Sequence, residues 1–271
     1  MEGAAFRKHT ASQPLWISLR FEWGRPMNRN EFYDAKSITA LDINLAWATL
    51  ELLTDDVEDI QLLISGNEED VDELKVSVND GKLTIEQPAY GLTTHITMVR
   101  WMQVMVRLPS VWKGVIEAST VAGPLRARGL TGSDLTLTTV SGDLLASDLS
   151  AIVMHVRTVT GCLTLRTAGA ETLKARTVSG DFRLSEGDFR KITVNGVSSD
   201  LRIDLATVFE QMDATTVAGD IMIYAPTREA NISLRSATGR LRTSEVSITD
   251  EGPVLNVVTV SGNLTVSGKN L

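Results

Sequence analysis

The chain has 271 residues, 43% of them hydrophobic but only 5% aromatic, and a formal net charge of −8. This supplies an aliphatic core for one large domain or two small ones, and the charge argues against a nucleic-acid or anionic-membrane surface. The single Cys162 excludes an internal disulfide, and no apolar run is long enough for a transmembrane helix.

Residues 1–36 fit nothing that follows and read as a leader. They carry Arg7, Lys8, Arg20 and Arg25 together with Trp16, Phe21 and Trp23, and residues 15–23 alternate enough for one strand. A basic, aromatic docking arm and a loosely attached leader both fit. Met27 looks like a natural start, so residues 1–26 are expected to be dispensable. Ala11-Ser12-Gln13-Pro14 stands where a signal peptide needs an apolar stretch. The expected location is cytoplasmic, with peripheral envelope association as the further option.

Residues 37–110 read as a β-rich lead-in region of short strands. Lys75-Val76-Ser77-Val78 and Lys82-Leu83-Thr84-Ile85 flank Asn79-Asp80-Gly81, a hairpin signal because Gly accepts positive φ. Asp55, Asp56, Glu58 and Asp59 form one acidic turn, and Glu68, Glu69, Asp70, Asp72 and Glu73 a second acidic loop. Neither has the oxygen-ligand spacing of a Ca²⁺ loop, so both read as solvated turns.

Residues 111–271 are built on a repeat. Thr139-Val140-Ser141-Gly142-Asp143-Leu144 returns as Thr177-Val178-Ser179-Gly180-Asp181-Phe182, as Thr216-Val217-Ala218-Gly219-Asp220-Ile221 and as Thr259-Val260-Ser261-Gly262-Asn263-Leu264. The pivots Gly123, Gly142, Gly161, Gly180, Ser199, Gly219, Gly239 and Gly262 are spaced 19, 19, 19, 19, 20, 20 and 23 residues apart. A fixed period near twenty marks stacked repeats. Five columns are apolar: seven before the pivot (Ile116, Leu135, Met154), five before (Ala118, Leu137, Val156), two before (Val121, Val140, Val159, Val178, Val197, Val217, Val260), two after (Leu125, Leu144, Leu163) and four after (Ala127, Ala146, Leu165). All five are expected to face inward, with the period-two register slipping by one at the Thr column and a corner there. The predicted fold is an all-β, single-stranded parallel β-helix: a three-sided β-solenoid with coils of about 19–20 residues, right-handed by the general preference of parallel crossovers.

These residues resemble the bacterial putative adhesin family, a domain of unknown function marked by repeated Thr-Val-Ser-Gly-Asp-Leu segments. The resemblance covers about residues 37–271. It implies a β-solenoid with no demonstrated enzymatic role, working as an envelope-associated module. Three places depart from the pattern: Gly196-Val197-Ser198-Ser199, Ala237-Thr238-Gly239-Arg240, and a link lengthened by Asp250-Glu251-Gly252-Pro253.

Little in the chain carries chemistry. Asp143, Asp181, Asp200 and Asp220 share one column that ends in Asn263 and is interrupted by Cys162. Stacked carboxylates could hold a cation, but Asp or Asn after Gly is also a turn cap, and capping is the favoured reading. His9, His95 and His155 are scattered, Cys162 has no visible partner, and no phosphate-loop, dinucleotide or zinc spacing is present. The expectation is no catalytic, cofactor-binding or metal-binding residue, and a noncatalytic scaffold or protein-interaction module. The alternative is a carbohydrate-binding or carbohydrate-active β-helix protein. A last coil with no cap should leave an open edge, so a second copy is expected to associate through the C-terminal coil. Any site is to be sought where the repeat fails.

Overall fold

A computed structural model describes residues 25–88 and 100–269. The expectations for residues 1–24, the end of the loop after Pro88 and His95 lie outside the described residues.

The lead-in region contributes β1 (Pro26–Tyr33), β2 (Ala40–Leu45), β3 (Thr49–Asp55), β4 (Ile60–Asn67), α1 (Glu68–Glu73), β5 (Lys75–Asn79), β6 (Lys82–Glu86) and β7 (Met102–Pro109). Residues 26–33 are not a loose leader. They form β1, which pairs antiparallel with β4 along its whole length. Burial and the neighbouring Glu31 carboxylate push the Tyr33 phenol above its ordinary pKa. The second acidic loop is also corrected: it is helix α1, whose last carbonyls accept from Arg29. Acidic residues fill its first turn, where the helix dipole favours them. The hairpin forms as expected, β5 pairing antiparallel with β6 around Asp80 and Gly81, both at positive φ. Lys82 pairs with Asp42 across β6 and β2 at 2.5 Å. Arg107 bonds Asp55 across β7 and β3 and holds its carboxyl below the usual range.

The repeats follow as β8 (Val115–Thr120), β9 (Leu125–Arg128), β10 (Thr131–Ser141), β11 (Leu144–Thr160), β12 (Leu163–Arg176), β13 (Phe182–Asn195), β14 (Leu201–Leu205), β15 (Gln211–Ala218), β16 (Ile221–Ala225), β17 (Glu229–Ser236), β18 (Leu241–Ser244), β19 (Ser247–Ile248), β20 (Val254–Ser261) and β21 (Leu264–Gly268). Each coil consists of a run-up to its pivot and a run-out beyond it, and neighbouring coils pair parallel. Leu144 stands beside Leu163, Met154 beside Leu173 and Phe182 beside Leu201. The two strands between pivots are often continuous, as in β11, and the backbone turns at single residues. Asp148, Thr167 and Glu186 take left-handed φ of 56°, 49° and 54°, each six residues after its pivot and in line with Gly129. That second corner left no mark in the hydrophobic columns.

Four of the five apolar columns line the core: Ile116, Leu135, Met154, Ala118, Leu137, Leu125, Leu144, Ala146 and Leu165 are all buried. The fifth is corrected. Val121, Val140, Val178, Val197, Val217 and Val260 are 40–54% exposed, whereas Thr120, Thr139, Thr158, Thr177, Thr216 and Thr259 are 0–3% exposed. Strand alternation therefore runs unbroken through the Thr, and the register slips after it, at the Val. The threonines can go inside because the corner offers them backbone partners. Gly123 N–H donates to Thr120 Oγ1 at 3.1 Å, and Thr177 Oγ1 donates to the Gly180 carbonyl at 3.1 Å. The pivot glycines are required by the preceding coil's backbone: a Cβ at Gly142 would collide with the Gly123 carbonyl, and one at Gly180 with that of Gly161.

The threonine column is unevenly satisfied. Thr216 Oγ1 reaches the Ser199 and Ala218 carbonyls at 3.3 Å each, but Thr158 Oγ1 is buried without a partner. Thr→Val keeps the shape and removes the hydroxyl, so Thr158→Val is expected to stabilise by up to ~1 kcal/mol and Thr216→Val to cost ~1 kcal/mol. Urea unfolding of the two variants checks this, and shifts of the same sign would sink it.

The order of coils in space is not their order in sequence. β20 pairs with β15 on one side and β17 on the other, and β21 pairs with β16 and β18. The eighth coil is therefore inserted between the sixth and the seventh. This corrects the expected open edge: the C-terminal coil has both edges taken, and the terminal coil is the seventh. Leu255, Val257, Leu264 and Val266 are fully buried, while Ile232, Leu234 and Leu241 are only partly so. The other end repeats the device, since β2 lies between β6 and β8, and β3 between β7 and β9. There Gln87, buried at the end of β6, accepts from the N–H groups of Ala46, Trp47 and Ala48 at 2.9–3.1 Å and clamps the first corner.

Candidate functional site

The aspartate ladder lies on the outer surface, just past each pivot, where the chain turns into its run-out strand. Asp143 Oδ1 accepts from the Cys162 N–H at 2.9 Å, and Asp200 Oδ1 from the Asp220 N–H at 2.9 Å. Asp220 Oδ1 accepts from the Asn263 N–H at 2.7 Å, and Asn263 Oδ1 from the Arg240 N–H at 3.3 Å. Asp181 pairs with Arg183 at 2.7 Å. Asp143, Asp200, Asp220 and Asn263 thus each cap a backbone donor of the neighbouring coil rather than of their own turn, which joins coil to coil where the ladder hydrogen bonds change direction, while Asp181 bonds within its own coil. The Asn263 to Arg240 bond crosses from the eighth coil to the seventh, as the inserted order requires. Carboxylates committed in this way have fewer lone pairs to offer an ion. Among the described residues, no group of three or more His, Cys, Asp and Glu could hold a metal.

The remaining sequence candidates are dispersed. Cys162 is a half-buried free thiol whose backbone sits in the Asp ladder. His155 lies half-buried in the outward column of the run-up face. Asp70 is buried, 3.3 Å from Asn67 Nδ2 and 3.9 Å from Arg100, so it anchors α1 rather than opening to solvent. The break at Gly196 and Ser199 is a packing exchange: Ser199 is buried, and a Cβ on Gly196 would stand 3.1 Å from Ser199 Cβ. The break at Gly239 belongs to the terminal coil, and residues 250–253 form the link that returns the chain to the inserted slot. None of the three assembles reactive groups.

Two outer surfaces escaped the column reading. One is the exposed valine ladder along the corner. The other is a basic square on the run-up face, His155 and Arg157 beside Lys174 and Arg176. Both are readable in retrospect. The valines share one column, and 155 and 157 stand one period from 174 and 176, but hydropathy placed the first inside and the net negative charge hid the second.

Among the described residues no helix is long and apolar enough to cross a membrane. No curated protein sequence matches the chain. A solved structure described as a putative adhesin from Bacteroides fragilis NCTC 9343 gives a TM-score of 0.61 at 14% identity, covering 90% of this chain and 97% of that one. Another, described as a putative lipid binding protein from Parabacteroides distasonis ATCC 8503, gives 0.64 at 14% identity, covering 90% and 98%. A putative adhesin from the same strain gives 0.58 at 8% identity, covering 89% and 97%. Likeness at these identities is likeness of fold. The Toastrack DUF4097 family matches residues 38–267, from the first buried lead-in residues into the last strand, and the chain belongs to that family.

Proposed function

We propose that the chain is a noncatalytic scaffold that works by protein–protein contact, with the valine ladder as its contact strip. The observation that carries this reading is the exposure of Val121, Val140, Val178, Val197, Val217 and Val260 in one column. Lone surface valines need no explanation, but stacked at about 4.8 Å per coil they make a continuous apolar strip. Ser141, Thr160, Ser179, Ser198 and Ser261 run beside it, exposed, as a polar rim. The reading takes the array as a right-handed, three-sided parallel β-helix, supported by the three paired segments per period, such as 144–147, 149–151 and 153–157 of β11. The noncatalytic part is supported by the use of the motif's Asp, Thr and Gly in building the shaft.

The test is affinity capture from source cells with two baits, the wild-type chain and a Val140→Ser/Val178→Ser/Val217→Ser variant. These side chains are exposed, so each change should move stability by no more than ~0.5 kcal/mol. A partner held by the wild type and lost by the variant is expected. A partner recovered equally by both baits, or turnover of polysaccharide by the purified chain, overturns the reading.

A further inference from the structure

The run-up face carries a concentration of positive charge that the shaft does not use. His155 on β11 pairs in register with Lys174 on β12, and Arg157 with Arg176. Residues two apart on a strand share a face, and neighbouring rungs are about 4.8 Å apart, so the four make a compact square. Thr136 and Thr138 border it on one side, Thr193 and Asn195 on the other, and together they line a concavity of about 360 Å³. Glu117, three coils from the Lys174–Arg176 rung, is the one acid among the lining residues. The ion pairs of the described residues do not include Arg157, Lys174 or Arg176. His155 Nε2 is buried there without a partner. Like charges stacked rung on rung repel, and they do so in a chain where Asp and Glu outnumber Lys and Arg by 34 to 26.

We propose that this square binds a small, soluble phosphate-bearing ligand, with the Arg157 and Arg176 guanidiniums forking onto its oxygens. Arginine presents paired donors that match a phosphate edge, Lys174 adds a point charge, and the bordering threonine and asparagine side chains supply neutral donors. The size of the concavity and the net negative charge around it favour a compact soluble polyanion over a membrane surface.

Calorimetric titration of the full chain with inorganic pyrophosphate tests the proposal, with a parallel arm of phosphatidylglycerol vesicles and an Arg202→Gln/Arg242→Gln control on the run-out face. Saturable pyrophosphate binding is expected, weakened at least tenfold in Arg157→Gln/Arg176→Gln and unchanged in the control. All replaced side chains are exposed, and a matching melting temperature confirms that the variants fold. Absent binding at millimolar pyrophosphate, equal weakening in the control pair, or binding to vesicles alone would overturn it.

Discussion

A chain that stops at Gly252 should lose the order of two coils rather than one. The truncation removes β20 and β21, and with them the only ladder that β17 has over residues 231–236 and the only ladder of β18 among the described residues. It also strips one edge from β15 and β16. Four fully buried aliphatic residues go with it, Leu255, Val257, Leu264 and Val266, each contributing roughly 1.5–3 kcal/mol of burial. The seventh coil is poorly equipped to reseat itself on the sixth. Its Ile232, Leu234 and Leu241 are only partly covered even now, and its last inward position is the exposed Thr243. Stability in a stacked array is a sum over neighbours, so the first five coils should fold as before. The expected result is loss of amide-exchange protection at residues 231–236 and a melting temperature lower by roughly 10 °C. Protection retained at those amides would show that coil seven drops into the vacant slot, and the idea would be wrong. If the coils instead stacked in sequence order, removal of the eighth would leave the seventh protected.

That comparison locates what could be read from the residues and what could not. The columns were legible because period two within strands and period nineteen between them are imposed by pleating and stacking, so Ile116, Leu135 and Met154 had to share a row. The corner was legible only to within one residue. A pivot Gly permits the register to slip on either side of it, and hydropathy alone prefers Val inside to Thr. What reverses the choice is the supply of backbone carbonyls and N–H groups at the turn, which exists only once coils are stacked. Coil order was less legible still. Every coil presents the same inward rows, so Val254 can pair as well with Gln211 as with Asn231, and it does both. The one trace was the 23-residue spacing before Gly262, which is the length a returning link needs. The Asp ladder was legible as capping but not in its direction, because a side chain that caps the next coil looks in sequence like one that caps its own turn. The basic square left a periodic signature, 155 and 157 against 174 and 176, that whole-chain charge conceals.

The fifth coil offers the sharpest test of the corner packing, through a pair of changes that should cancel. In the fourth coil Thr177 is buried three residues before Gly180. In the fifth the two roles are exchanged: Gly196 takes the threonine position and Ser199 the pivot. The exchange is steric. Ser199 is buried, and a Cβ placed on Gly196 would lie 3.1 Å from Ser199 Cβ and 3.3 Å from Thr216 Oγ1, so one side chain fills the space at each corner. The backbone permits the exchange, since Ser199, like Gly142 and Gly262, stays out of the positive-φ region that Gly161, Gly180 and Gly219 occupy at 135–146°. Gly196→Thr alone should therefore overpack the corner and cost ~2–3 kcal/mol. Ser199→Gly alone should be close to neutral, because a small void is offset by removal of a buried hydroxyl with no partner. The double variant restores the arrangement of the fourth coil and should recover at least ~2 kcal/mol of the loss, a coupling far larger than distant sites show. Urea midpoints of the four proteins measure it. Additive effects, with the double variant as unstable as Gly196→Thr, would mean that the corner is not filled by one side chain in turn and that the glycine at 196 answers to something else.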